Sequence, residues 1–441
     1  MNPRHIVILL LFGLCQNHVA YAQRNKKTTT PSNWPHTNIK ISSKNDPNEP
    51  SICLDPKHPN YIVAGSNIAN IYTSSDTGRT WQTTTQSSSY GVWGDPDIEV
   101  DTAGNFYHFH LSNPEFGNWI DRIVCQKSTN HGQKWSNGTY SGLRGKKNQD
   151  KHWVDIDRQN NAIYMTWTQF DAYESRKPTD RSNILFSKST DGGETWSPAA
   201  RINQIDGDCL DDDDTVEGAV PAVGPNGEIY VAWAGPTGIR FDRSLNGGKS
   251  WLKNDRLVAQ NPGGWALDIP AINRCNGLPT TACDVSQSPY RGNIYINWAD
   301  QRNGQNDTDI WLARSTDGGK TWSKAARVND DTTHTHQFLT WLEVDQATGY
   351  LWFVFYDRRN HTDNHTDVYM AVSTDGGNTF KNFRVSEQAF LPRKDIFFGD
   401  YNGLTVHNNI VRPIWTSLDT EAKLSVWTAI IDVNAVLNTK N

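Results

Sequence analysis

The sequence predicts an all-β chain closed into a seven-bladed propeller, and three observations predict it. An eight-residue phrase recurs six times. Each copy follows the same run of alternating apolar strands. A seventh run lacks the phrase and is one strand short, while a spare strand stands near the other end of the chain. The first copy reads Ser74-Ser75-Asp76-Thr77-Gly78-Arg79-Thr80-Trp81, and the others occupy residues 128–135, 189–196, 244–251, 315–322 and 373–380. Their spacing is that of one propeller blade. The phrase has a local logic. Its Asp can accept from backbone amides two residues on, its Gly residues supply positive φ, and its Trp enters the apolar interior of a blade.

The strands justify the blades in turn. Residues 163–167 (IYMTW), 229–233 (IYVAW) and 294–298 (IYINW) alternate as half-buried strands do and serve as second strands. A fourth strand follows each phrase, as in Ala326-Arg327-Val328-Asn329. The seventh unit opens at Phe397-Phe398-Gly399-Asp400-Tyr401 and supplies strands at 403–406, 410–415 and 424–431. Its missing outer strand is residues 38–41 (NIKI), a closure that leaves no exposed sheet edge. Six blades is the rival count.

The repeated phrase resembles the Asp box of sialidases and other secreted carbohydrate-active β-propellers, and the resemblance covers nearly all of the mature chain. It implies the fold, with boxes placed away from the active face, and says little of the chemistry. A single propeller domain is expected over 37–435, behind a lead-in at 23–36 and a secretory signal at 1–22. The signal reading rests on Arg4 and His5, the apolar run 6–14 and the small-residue site Ala20-Tyr21-Ala22. It implies a secreted or periplasmic protein. Leu14 before Cys15 does not suit a lipobox. The 18 Trp among 441 residues suit aromatic blade packing and sugar stacking, and a net charge of −6 gives no basic footprint for nucleic acid or membrane. A monomer that needs no cofactor is expected. Cys275 and Cys283 flank a turn-rich insert as possible disulfide partners. The loop Asp211-Asp212-Asp213-Asp214 is either solvated or a structural calcium site.

One rim gathers the starts of the innermost strands and the loops between second and third strands, and pockets form at such converging ends. The strand starts supply Glu49, Asp95, Asp97, Lys151, His152, Glu217, Asp268, His336, Asp400 and Tyr401. The loops add His110, Tyr173, Arg176, Arg302, Arg358 and Arg359. His110 stands where sister strands carry Trp167, Trp233, Trp298 and Phe355, a break in pattern of the kind functional sites make. The arginines, each with an Asp nearby, are either forked anion binders for an acidic sugar or structural tethers.

The sialidase resemblance implies Tyr401 as nucleophile and Glu217 as its partner. The chain departs from that family where Asn48-Glu49-Pro50-Ser51-Ile52 and Ala232-Trp233-Ala234-Gly235 stand in place of two arginines that bind the sialate carboxylate. In blade count, secretion and residue types the chain is also similar to ulvan lyases, which cleave uronate polysaccharides by β-elimination. That resemblance implies a clamp, Arg176, with Lys151 and His336 also near the substrate, and proton transfer by Tyr173 and His110 or His152. The expected partner is an anionic poly- or oligosaccharide. A glycan-binding propeller without catalysis is the third reading.

Overall fold

The structure, a computed structural model, describes residues 35–439; the expected signal segment and residues 23–34 of the lead-in lie outside the described residues. Seven four-stranded antiparallel sheets form the ring. Their innermost strands are Ser51–Leu54, Asp97–Val100, Asn148–Ile156, Glu217–Val223, Thr280–Cys283, Gln337–Asp345 and Gly403–His407. Each packs against the next, and the last against the first. The seventh blade is completed by His36–Ser42, which pairs antiparallel with Leu424–Ile431 from His36 opposite Ile431 to Lys40 opposite Trp427.

Apolar cores lie between adjacent blades. Trp167, Trp233 and Trp298, on the second strands, are at most 1 % exposed. Each such ring hides roughly 150–250 Å² from water, an upper bound of about 4–6 kcal/mol per residue. Nearer the axis, side chains stitch one blade to the next. Ser51 Oγ accepts from the Ile98 amide (3.0 Å), Asp97 from Val154 (2.8 Å), Asp155 from Val223 (2.7 Å) and Thr405 Oγ1 from Leu54 (3.1 Å).

The six boxes join third to fourth strands on the face opposite the rim of strand starts. In the first, Ser74 Oγ accepts from the Gly78 amide at 2.9 Å and donates to Asp76 at 2.8 Å. Asp76 then accepts from the amides of Arg79 and Thr80 at 3.0 and 2.9 Å. The carboxylate therefore reaches amides three and four residues on rather than two, because it closes a whole loop instead of a single turn. The second Gly lies against the preceding blade: a Cβ on Gly248, at φ +80°, would run into the Phe186 ring.

Two expectations need correction. Cys275 and Cys283 are free thiols, as are Cys53, Cys125 and Cys209. Cys275 sits in a two-stranded ladder, Ala266–Leu267 with Cys275–Asn276, whereas Cys283 ends the innermost strand of blade five, so that strand's length separates them. Asp268 does not start that strand, which begins at Thr280; it is exposed in the insert before it. Beyond the ring, the chain ends in a short helix, Val433–Asn438, capped by the Asp432 carboxylate on the Ala435 amide.

Candidate active site

The strand starts are where the backbone departs from ordinary β geometry. Glu49, Asp95, Lys151 and Leu339 all have φ between +47° and +51°, and Gly218 lies at +72°. In blades three, four and six the pairing slips there, between Asp150 and Trp153, Glu217 and Val220, and Phe338 and Trp341. Left-handed non-glycine residues cost on the order of 1 kcal/mol or more each and persist where the surroundings over-determine them. Bulges at such places re-aim side chains. Here the slip in blade three accompanies the turn that brings Lys151 to Glu49, Asp95 and Asp400 of other blades.

Lys151 is the hub. Its Nζ lies 2.6 Å from Asp400 and 3.7 Å from both Glu49 and Asp95. Arg274 closes the other side of Asp400, donating from Nε at 3.0 Å and also from Nη2, and it reaches Asp211 from Nη1 at 3.0 Å. Asp211 accepts the Tyr173 hydroxyl at 2.5 Å. Tyr401 extends its hydroxyl to Asp95 at 3.5 Å. Asn276, in the ladder that carries Arg274, donates to the Asp400 carbonyl at 2.9 Å. Glu217 is fully buried, and neither carboxyl oxygen receives a donor.

Burial and charge divide these acids into two states. Burial raises Glu217 well above the carboxylate range, and the neighbouring Asp211 and Asp150 raise it further. Asp150 is pushed up to about 8 by burial, against the pull of Lys151, and Glu49 is raised for the same reason. Burial would also raise Asp400, but Lys151 and Arg274 together outweigh it and hold Asp400 below its usual range. The Tyr173 phenol is raised by burial and then by Asp211 and Asp150. Environments that push carboxyl groups apart in proton affinity mark acid and base roles.

A plug closes the floor of this mouth. Trp153 meets Trp341 at 4.5 Å and Tyr401 at 4.9 Å between ring centroids, with Val220 packed against them. Below it lies a cavity of about 860 Å³, open to the box side and lined by Asp97, Glu99, Asp155, Arg158 and Glu343. Asp97 belongs to this lower space rather than to the rim.

The structure brings Lys151, Glu217, Tyr173 and Tyr401 together with Glu49, Asp95 and Asp400. The other expected residues lie elsewhere. His110 is fully buried, its Nδ1 donating to the Leu111 carbonyl at 2.8 Å, and burial lowers its pKa to about 4. His152 is 1 % exposed and likewise lowered to about 4 by burial. Both rings are therefore neutral and sealed between blades two and three, because their strand positions point into the core. Arg176 is exposed, and no ion pair or hydrogen bond ties it to the cluster. His336 is bonded to Thr308 Oγ1 at 3.0 Å. Arg302 is held by Asp300 (Nε, 2.9 Å) and Arg359 by Asp357 (Nε, 2.8 Å), so both are tethers. Arg358 forms no ion pair among the described residues; it donates to Pro270 O, Thr366 and Asn364. The carboxylates of the 211–214 loop diverge: Asp211 faces the mouth, Asp213 accepts from the Trp265 and Ala266 amides, and Asp212 accepts from the Asp214 amide. They form no shared oxygen cage.

Arg274 and Asp150 are the residues that sequence reasoning missed, and Asp211 it read only as part of a solvated or calcium-binding loop. Arg274 sits in the insert whose cysteines drew attention instead. Its one signal was a cation in an insertion next to a strand start.

The comparisons agree with the architecture. The family model described as BNR/Asp-box repeat matches residues 188–198 and 313–324, within the third and fifth boxes and their flanks. The chain is a seven-bladed Asp-box propeller. An ulvan lyase structure superposes with a TM-score of 0.52 at 12 % identity, covering 92 % of this chain and 100 % of that one. The NanB sialidase from Streptococcus pneumoniae gives 0.49 at 9 % identity, covering 85 % and 84 %. An α-L-arabinanase from Penicillium chrysogenum gives 0.48 at 11 %, covering 93 % and 100 %. The likeness to the ulvan lyase is one of fold alone, and the two looser ones add nothing to it. No curated relative matches the chain in sequence.

Proposed function

We propose that the chain is a carbohydrate-active enzyme that hydrolyses glycosidic bonds, with its reaction centre at Tyr173, Asp211 and Glu217. One observation carries the choice of reaction. The mouth gathers six carboxyl groups, Glu49, Asp95, Asp150, Asp211, Glu217 and Asp400, against two cations, Lys151 and Arg274. Carboxyl groups outnumber the cations that face them three to one. Such a site favours a transition state that develops positive charge on the sugar, as glycoside hydrolysis does. β-Elimination builds negative charge beside a carboxylate, which this mouth would oppose. Arg274, the cation nearest Tyr173, is already engaged by Asp211 and Asp400.

The hydrogen bond from Tyr173 to Asp211, and the influence of Asp211 on Glu217, support these roles. Glu217, kept protonated, gives its proton to the leaving glycosidic oxygen. Tyr173 Oη attacks the anomeric carbon as its own proton passes to Asp211, and the bond to the leaving oxygen breaks. Water then attacks the glycosyl-tyrosine, losing its proton to the Glu217 carboxylate, and Asp211 returns a proton to the phenol. Tyr401, its hydroxyl turned to Asp95, keeps a positioning part.

The test is incubation with a panel of uronate-containing, sulfated and sialylated glycans, following reducing ends and ultraviolet absorbance together. New reducing ends without absorbance, abolished by Tyr173→Phe, are expected. An ultraviolet-absorbing unsaturated product, or full activity in Tyr173→Phe, would overturn this reading.

A further inference from the structure

The wall of the mouth at blades two and three has a feature that the bond cleavage does not use. Trp93 and Trp119 are each 38 % exposed and meet edge to face at 6.0 Å. Trp119 in turn meets the Tyr173 ring edge to face at 5.4 Å. A row of rings therefore runs from solvent to the hydroxyl bonded to Asp211. Phe116, 88 % exposed, stands further out on the same loop as Trp119. Single exposed apolar residues are ordinary, but a contiguous row that ends at a reaction centre is a binding feature.

Beside this row lies positive charge. Asn148 joins the two loops to its own segment, donating to the Trp119 carbonyl at 3.0 Å and accepting from the Tyr173 amide at 3.0 Å. Just before it stand Arg144, Lys146 and Lys147, and just after Tyr173 stand Arg176 and Lys177. Lys147 is paired with Asp171 at 2.6 Å, and Arg144 donates to the Ala199 carbonyl. Lys146, Arg176 and Lys177 are exposed with no acidic partner among the described residues. Glu115 and Glu174 are the exposed acids of these segments. The balance is positive on a chain whose net charge is −6.

We infer that this rim is a subsite for the flanking sugars of an anionic glycan chain. Trp93 and Trp119 stack on pyranose C–H faces, while Lys146, Arg176 and Lys177 pair with uronate or sulfate groups on units beyond the scissile one. Acidic units track the basic rim, and the bond to be cut lies over the acid-rich interior. The substrate class is thus an extended acidic polysaccharide rather than a lone terminal sugar. This rests on the hydrolase reading for the cut, but not for the binding.

Native affinity electrophoresis through gels containing alginate, ulvan or chondroitin sulfate separates the two. Retardation in at least one acidic gel and none in hydroxyethylcellulose is expected. Trp119→Ala, Trp93→Ala and the Lys146→Gln/Arg176→Gln double variant should each weaken that retardation about tenfold, the last also losing its dependence on salt. Tyr173→Phe should be retarded like the parent protein. No retardation in any acidic gel, or retardation unchanged in all three rim variants, would overturn the subsite. Equal retardation in the neutral gel would overturn its anionic character. Retardation by a polysaccharide that is never cut would defeat the hydrolase reading and leave the subsite standing.

Discussion

The two ends of the central channel are lined by the same kind of residue but supply it with different partners. Above the aromatic plug, acids are brought in with cations: Asp400 lies between Lys151 and Arg274 and is held below its usual range against the effect of burial. Below the plug, acids outnumber the cations Lys57, Arg158 and Arg291 of the lining and respond by holding their protons. Burial pushes Asp97 and Glu343 up to about 8 and Asp155 up to about 6, and Arg158 lies 3.7 Å from Glu99 alone. The lower space is much the larger, yet two of its acids have structural work, since Asp97 and Asp155 bond the amides of the next blade. Its strands are also regular there, whereas the upper ends carry left-handed residues. Volume alone would pick the lower end. Strain, ion pairing and divided proton affinities pick the upper one.

The sharpest way to break this contrast is to compare removal of one group from each end. Asp211→Asn takes away the acceptor of the Tyr173 proton and should lower kcat by roughly 10²–10⁴-fold. Asp97→Asn should leave kcat within a factor of a few. Steady-state kinetics on both decides it, and reversal of the two results would move the reaction centre below the plug.

Next in size is the hub itself. Lys151→Met leaves Asp400, Glu49 and Asp95 buried around a lost cation, which should cost about 3–5 kcal/mol in denaturant unfolding. A cost under about 1 kcal/mol would show that these acids are not held by ion pairing.

The pH dependence of stability should separate the raised carboxyls from the depressed one. Carboxyls raised in the folded state stabilise the protein below their unfolded values near 4, and that contribution is lost as pH climbs toward about 8. Melting temperature should therefore fall between pH 5 and pH 8.5, and Glu343→Gln should flatten the fall. Asp400, depressed in the folded state, acts the other way: its contribution is present at neutral pH and lost only in strong acid. A melting temperature that is flat from pH 5 to pH 8.5 would refute the protonated carboxyls at both ends. The smallest effect is expected from Thr405→Ala, which frees the Leu54 amide and should cost about 1 kcal/mol in the same unfolding measurement.

Much of the ring was legible because its physics is local and repeated. The box, the Ile-Tyr-x-x-Trp strand and the orphan strand at 38–41 each carry their own signal, and seven blades follow from counting them. The rim was legible in part, since Glu49, Asp95, Lys151, Glu217, Asp400 and Tyr401 stand at strand starts. Direction was not legible. A loop position does not say whether Arg176 turns inward or outward, and a strand-top position does not say that His110 is walled in by its neighbours. Arg274 was beyond reach because a two-stranded ladder in an insert carries it, and nothing in the repeat predicts where an insert folds back.

The strand His36–Ser42 sets the order in which the molecule can be finished. Its partner, Leu424–Ile431, is the last strand of the ring in chain order, so the first strand waits unpaired until every other strand has been made. Contacts so distant along the chain form late and slow the final step of folding. A product truncated before that partner therefore carries an unclasped sheet edge, open to pairing with another chain.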